Sequence, residues 1–80
     1  MSIVKIREGH TGFYQQYANK RVALLEEGQS LKVNRIKDDQ YICSVVNATE
    51  RCKDHGGYDG MTIEAYVQNL EVEEGEEWKS

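Results

Sequence analysis

Both cysteines of the chain, one of its two histidines and three of its seven glycines fall in one stretch, CSVVNATERCKDHGGYDG, residues 43–60. Cys43, Cys52 and His55, with His10 as a fourth donor, offer the sulfur and nitrogen ligands that tetrahedral Zn²⁺ prefers. Structural zinc sites usually bring two tightly spaced pairs, and here only Cys52 and His55 stand close together. The expectation is no metal and no cofactor. Cys43 reads as a small buried group within a strand and Cys52 as an exposed thiol, with a regulatory disulfide as the alternative. Cys52 paired with His55 or His10 would make a thiolate and an imidazolium, a nucleophile in principle. No orienting third group or oxyanion hole stands at a recognisable spacing, so no catalytic residue is assigned and the chain reads as non-enzymatic.

The glycines of this stretch carry no phosphate chemistry either, since they fit neither the dinucleotide fingerprint nor the phosphate loop. If Gly60 were the turn glycine of a calcium loop, positions 1, 3 and 12 would be His55, Gly57 and Tyr66, which are not a ligand set. Asn47-Ala48-Thr49 fits the glycosylation triplet. The apolar stretch of MSIVKIREGH is too short for a signal peptide, so the expected location is cytoplasmic, the thiols reduced and the triplet a chance match. What remains is a long loop, and long loops on rigid scaffolds are where binding surfaces concentrate.

A second constellation lies upstream in IVKIREGHTGFYQQYANKRV, where Lys5, Arg7, His10, Lys20 and Arg21 surround Phe13, Tyr14 and Tyr17. Phosphate-pairing cations among stackable rings are what RNA-binding surfaces use, and Arg35 and Lys37, with Lys32 nearby, would extend the stripe. The same rings, presented beside Gly9 and Gly12, would equally anchor a protein partner. Phe13, Tyr14 and Tyr17, with His55 and Tyr58 of the long loop, are the candidate partner-binding residues; Lys5, Arg7, Lys20, Arg21 and Arg35 are the candidate nucleic-acid contacts. The bland alternative is that the rings are core and the cations ordinary surface charge. Residues 1–40 carry seven Lys or Arg against five Asp or Glu, residues 41–80 three against nine, and the net charge of −4 opposes nucleic-acid binding overall. The acids of EVEEGEEWKS suggest a solvated, flexible tail over residues 73–80.

The elements that must position these groups are strands. SIVKIRE alternates with period two, and RVALLE, SLKVNRI, YICSVV and MTIEAYV are rich in branched or aromatic residues, separated by turns such as EGQ and KDDQ. GHTGFYQQYANK reads as a long loop with one helical turn. An 80-residue chain forms one domain, assigned here to residues 1–72, and buries about 60 to 65% of its unfolded surface. No apolar run approaches the roughly 20 residues of a membrane span. The expected class is all-β: a small barrel of five to six antiparallel strands with long loops and at most a short helical turn, since closure removes exposed edges. Alternation puts Val22, Leu24, Leu31, Val33, Ile42, Val45, Ile63, Ala65 and Val67 in one core.

The order of a long first loop, a glycine-marked turn in LEEGQSLKVNRI, the polar turn KDDQ, the central strand YICSVV, a variable hairpin loop and a final AYVQNLEV resembles the Src-homology-3-like (SH3-like) small β-barrels. The resemblance spans roughly residues 20–73 and implies that Tyr66 to Leu70 form a strand end, one tight helical turn and the start of a closing strand. The first loop has no ALYDY-type stretch and no proline precedes the closing segment, so a polyproline ligand is not implied. VKIREGHTG faintly resembles the start of a KOW motif, found in ribosomal and transcription-factor barrels. The leading expectation is a small interaction module that binds a protein partner, in the style of a phage-type accessory or inhibitor protein. The alternative is an RNA-binding or ribosome- or transcription-associated KOW-like barrel using the basic N-terminal half.

Overall fold

In the computed structural model of the chain, residues 3–74 are described. They form strands β1 (Ile3–Ile6), β2 (Gly12–Gln15), β3 (Val22–Leu25), β4 (Ser30–Lys37) and β5 (Gln40–Val45), a short helix α1 (Glu50–Asp54), strand β6 (Thr62–Tyr66), a 3₁₀ turn (Val67–Asn69) and strand β7 (Leu70–Glu74). The class is all-β, as the alternation predicts. β7 runs on to Glu74, into the segment expected to be a tail, and residues 75–80 of that segment lie outside the described residues. No helix among the described residues is long and apolar enough to cross a membrane.

Five strands make one antiparallel sheet in the order β6-β5-β4-β1-β7, and β2 and β3 form a separate two-stranded ribbon. Seven strands thus replace the expected five or six. The extra one is β2, which lies in the segment expected to be a loop with a helical turn. Its Phe13-Tyr14-Gln15 run alternates exposed, buried, exposed, and Phe13 pairs with Leu24, Tyr14 with Ala23 and Gln15 with Val22. Aromatic side chains suit a half-buried pleated surface, and this pairing satisfies the backbone that a loop would leave to solvent. The barrel does not close: ribbon and sheet meet at a single bridge, Gln16↔Ile63, beside which the Tyr17 amide donates to the Thr62 carbonyl (2.9 Å).

The core lies between ribbon and sheet. Leu31, Val33, Val45, Ile63 and Ala65 belong to it as expected, and Val67 packs against it partly buried. Val22 does not: it is 51% exposed, and its neighbours Ala23 and Leu25 are fully buried instead. Ala23 is paired with Tyr14 on the core face, so Val22 and Leu24 occupy the other face of the ribbon, where Leu24 is still covered. In β5 the two-residue period puts Tyr41, Cys43 and Val45 inward, with Cys43 and Val45 opposite Val33 and Leu31 of β4, while Ile42 is buried outside the main cluster.

One buried polar side chain ties the loops to this core. Gln29 follows a turn in which Gly28 has φ 89° and the Gln29 amide donates to the Glu26 carbonyl (3.0 Å), a geometry that requires a residue tolerant of positive φ. The Gln29 side-chain amide donates to the carbonyls of Val46 (2.7 Å) and Ser30 (3.0 Å), and its oxygen accepts from the Thr49 amide (3.1 Å). Gln29→Ala would strand those buried groups, with an expected cost of about 2 kcal/mol. Urea unfolding measures it; a loss below about 0.5 kcal/mol, the range of an ordinary surface change, would refute the anchoring role.

Candidate partner-binding face

The loop after β5 is built, not slack. Thr49 caps α1 by accepting from the Cys52 amide (3.1 Å), and the Glu26 carboxylate of the β3–β4 turn takes both the Thr49 hydroxyl (3.3 Å) and the Arg51 guanidinium (3.1 Å). The Ala48 amide donates to the Asp59 carboxylate (2.7 Å), and the Gly57 amide to the Cys52 carbonyl (2.8 Å). The helix turns Cys52 inward, so the expectation of an exposed Cys52 is corrected: both cysteines are free and fully buried. Burial pushes the Cys43 thiol up to about 12. Cys52 is raised as well, by burial first and then by the nearby Asp59 and Glu26 carboxylates. Both thiols are therefore protonated at neutral pH, and His55 sits on the surface. Among the described residues no three His, Cys, Asp or Glu side chains form a group that could hold a metal ion.

Fixing the loop sets its far end against the ribbon. The His55 ring lies edge-on to Phe13, with centroids 6.2 Å apart and planes at 80°, a favourable aromatic geometry. The Tyr58 hydroxyl accepts from the Gln16 side-chain amide (2.8 Å). The two segments singled out from sequence thus meet on one surface through Phe13 with His55 and Gln16 with Tyr58, each pair 42 residues apart in the chain. Phe13 is 62% exposed, Tyr58 50% and Tyr17 39%, and Val22 joins them on the ribbon. Tyr14 is corrected: it is a core residue whose hydroxyl donates to the His10 carbonyl (2.7 Å), and burial raises its phenol above the ordinary range.

The cationic candidates are not gathered in the same way. Lys5 in β1 faces Glu71 (3.9 Å), and the Arg7 guanidinium donates to the Leu70 carbonyl (2.6 Å), so both serve the β1–β7 seam. Lys20 and Arg21 are exposed in the β2–β3 turn, where Lys20 has φ 64°. Arg35 is exposed on β4 beyond its register shift. Lys5 and Arg7 thus sit near one margin of the sheet and the turn beside β6 at the other.

Beside Phe13, where β2 and β6 diverge, a cleft of about 360 Å³ is lined by Gly12, Phe13, Tyr14, Gln15, Gln40, Glu64, Ala65, Tyr66 and Asn69. Tyr66, 49% exposed, stands across it from the ribbon. Tyr66 and Glu64 were not singled out from sequence, although the alternation of MTIEAYV puts Thr62, Glu64 and Tyr66 on one face. Compared with protein families, with curated proteins and with solved structures, the chain shows no significant match.

Proposed function

We propose that the protein is a non-enzymatic cytoplasmic interaction module that binds another protein through the face where the β2–β3 ribbon meets the α1 loop. The observation that carries this reading is Phe13, a large apolar ring left 62% exposed on a strand and braced edge-on by His55. A ring held in one orientation loses little further entropy on binding, and rings of this kind dominate the energetics of interface centres. Tyr17, Tyr58 and Val22 supply the surrounding contact surface. The strand order, and the 3₁₀ turn immediately before β7, support reading the scaffold as an SH3-like small barrel left open on one side. The dispersal of the cations, two of them engaged at the β1–β7 seam, favours a protein over an RNA partner.

The test is capture with the tagged protein before and after nuclease treatment, followed by titration of the captured partner. Phe13→Ala is expected to weaken binding by about 30-fold, the equivalent of about 2 kcal/mol at an interface anchor, with the melting temperature nearly unchanged. A partner lost on nuclease treatment returns the function to RNA binding. Equal affinity for wild type and variant removes Phe13 as the anchor.

A further inference from the structure

We infer that the cleft between β2 and β6 is a slot for an extended, lysine- or arginine-bearing segment of the partner protein, which adds as a strand to the open edge of β6. This rests on the interaction-module reading and specifies how the partner is held.

The backbone direction along β6 is set by two bonds. The Tyr17 amide donates to the Thr62 carbonyl, so the polar groups of Thr62 point towards the ribbon, while the Val45 amide donates to the Met61 carbonyl on the β5 side. The two-residue period of a strand then turns Glu64 and Tyr66 towards the ribbon, and Ile63 and Ala65 towards β5. The ladder between β2 and β6 stops at Gln16↔Ile63. Beyond it the Glu64 carbonyl and the Tyr66 amide face the cleft, and among the described residues no further pair between β2 and β6 continues the ladder. Tyr66 is still extended, with φ −71° and ψ 143°, so the edge keeps strand geometry until the 3₁₀ turn ends it. An edge strand whose ladder to its neighbour breaks off beside a cleft is a template for an added strand.

The side chains select the segment. Glu64 is the one charged residue among the nine that line the cleft, and the chain carries a net charge of −4. A cationic side chain is attracted there, whereas a second copy of this acidic chain or a polyanion is repelled. Phe13 and Tyr66 flank the slot as exposed rings, over which an arginine or lysine can lie. Because Phe13 also borders the face described above, a partner that contacts the ribbon can continue into the slot without a gap.

The experiment titrates ¹⁵N-labelled protein with a pool of hexapeptides in which Lys or Arg alternates with Val, Ile, Thr or Tyr. Parallel titrations use the same pool N-methylated at alternate backbone nitrogens, and a pool with Glu replacing the cations. The expected result is amide shifts centred on residues 12–15, 40 and 64–69, with hydrogen exchange of the Tyr66 amide slowed at least about tenfold. N-methylation is expected to abolish both effects, the Glu pool to bind more weakly, and Glu64→Gln to weaken the cationic pool by about two- to fivefold. Shifts that survive N-methylation, an unprotected Tyr66 amide, protection that rises with protein concentration alone, or no response to any pool would overturn the proposal. Phe13-dependent capture of a partner together with any of these results leaves the interaction module standing and removes the slot.

Discussion

Gly57→Ala is expected to cost about 3 kcal/mol or more, at the upper end of overpacking effects and a large share of the stability of so small a domain. A Cβ at this position would stand 2.2 Å from the Cys52 sulfur and 3.0 Å from the Cys52 carbonyl oxygen, with Ala23 Cβ at 3.4 Å. Backbone strain is not the cause, because Gly57 is not among the positive-φ glycines; the deficit is one of space. Nor can the corner give way easily. The Gly57 amide is bonded to the Cys52 carbonyl, the helix start is capped by Thr49, and the Cys52 side chain is fully buried against the ribbon. A double-mutant cycle separates this account from a general loss of helix. Cys52→Ala removes the sulfur, so the double variant should be more stable than the sum of the two single effects predicts, while the carbonyl contact leaves recovery incomplete. Urea midpoints at constant slope measure it. Strict additivity, or a Gly57→Ala protein as stable as wild type, would show that the corner relaxes. His55 and Tyr58 hang from this corner, so the variant should also weaken partner binding, in contrast to Phe13→Ala, which weakens binding while the fold holds.

The parts of this corner that the sequence does and does not reveal differ for physical reasons. Strands with one apolar face, SIVKIRE and MTIEAYV, announce both their existence and their inward side, and Val4, Ile6, Ile63 and Ala65 are indeed buried. VALL is apolar at every position, so alternation cannot say which side faces in, and the phase follows only from pairing with Tyr14 in a strand whose sequence reads as a loop. The register shift near Asn34 is equally silent, because an extra residue on one strand leaves no mark in composition. The inward side of Cys52 is hidden in the sequence because five helical residues are too few to display a 3.6-residue period, although Thr49 three positions earlier is a cap-type residue. At the candidate face, Phe13, Tyr17, His55 and Tyr58 were named from residue type and loop context, but that they meet depends on Gln29 and Glu26 anchoring the α1 loop across more than a dozen residues of intervening chain. Tyr14 reads as a surface ring in the sequence because the parity of β2 is hidden with the strand itself.

Alkaline titration is expected to unfold the protein progressively, beginning near pH 9, and Cys43 is the main reason. In the unfolded chain this thiol loses its proton at its ordinary value of 9.0, whereas burial in β5 holds it until about 12 in the folded protein. Below pH 9 both states carry the proton and the stability is fully present. Between about 9 and 12 the unfolded chain binds fewer protons than the folded one, so stability falls as pH rises, with a limiting slope of about 1.4 kcal/mol per pH unit. Across that window the loss approaches about 4 kcal/mol for this one group, enough to exhaust a marginal domain. Cys52, Tyr14 and Tyr41, each raised by burial, act in the same direction. The control is Cys43→Ala, which gives up some packing at every pH but removes the largest single contribution to the slope. Urea unfolding of both proteins at a series of pH values from 8 upward should show the two stability curves converging as the solution becomes more alkaline. Parallel curves would mean that Cys43 ionises within the folded protein near its ordinary value, through opening of β5 towards solvent, and that the seam between β5 and β6 is looser than its paired register implies.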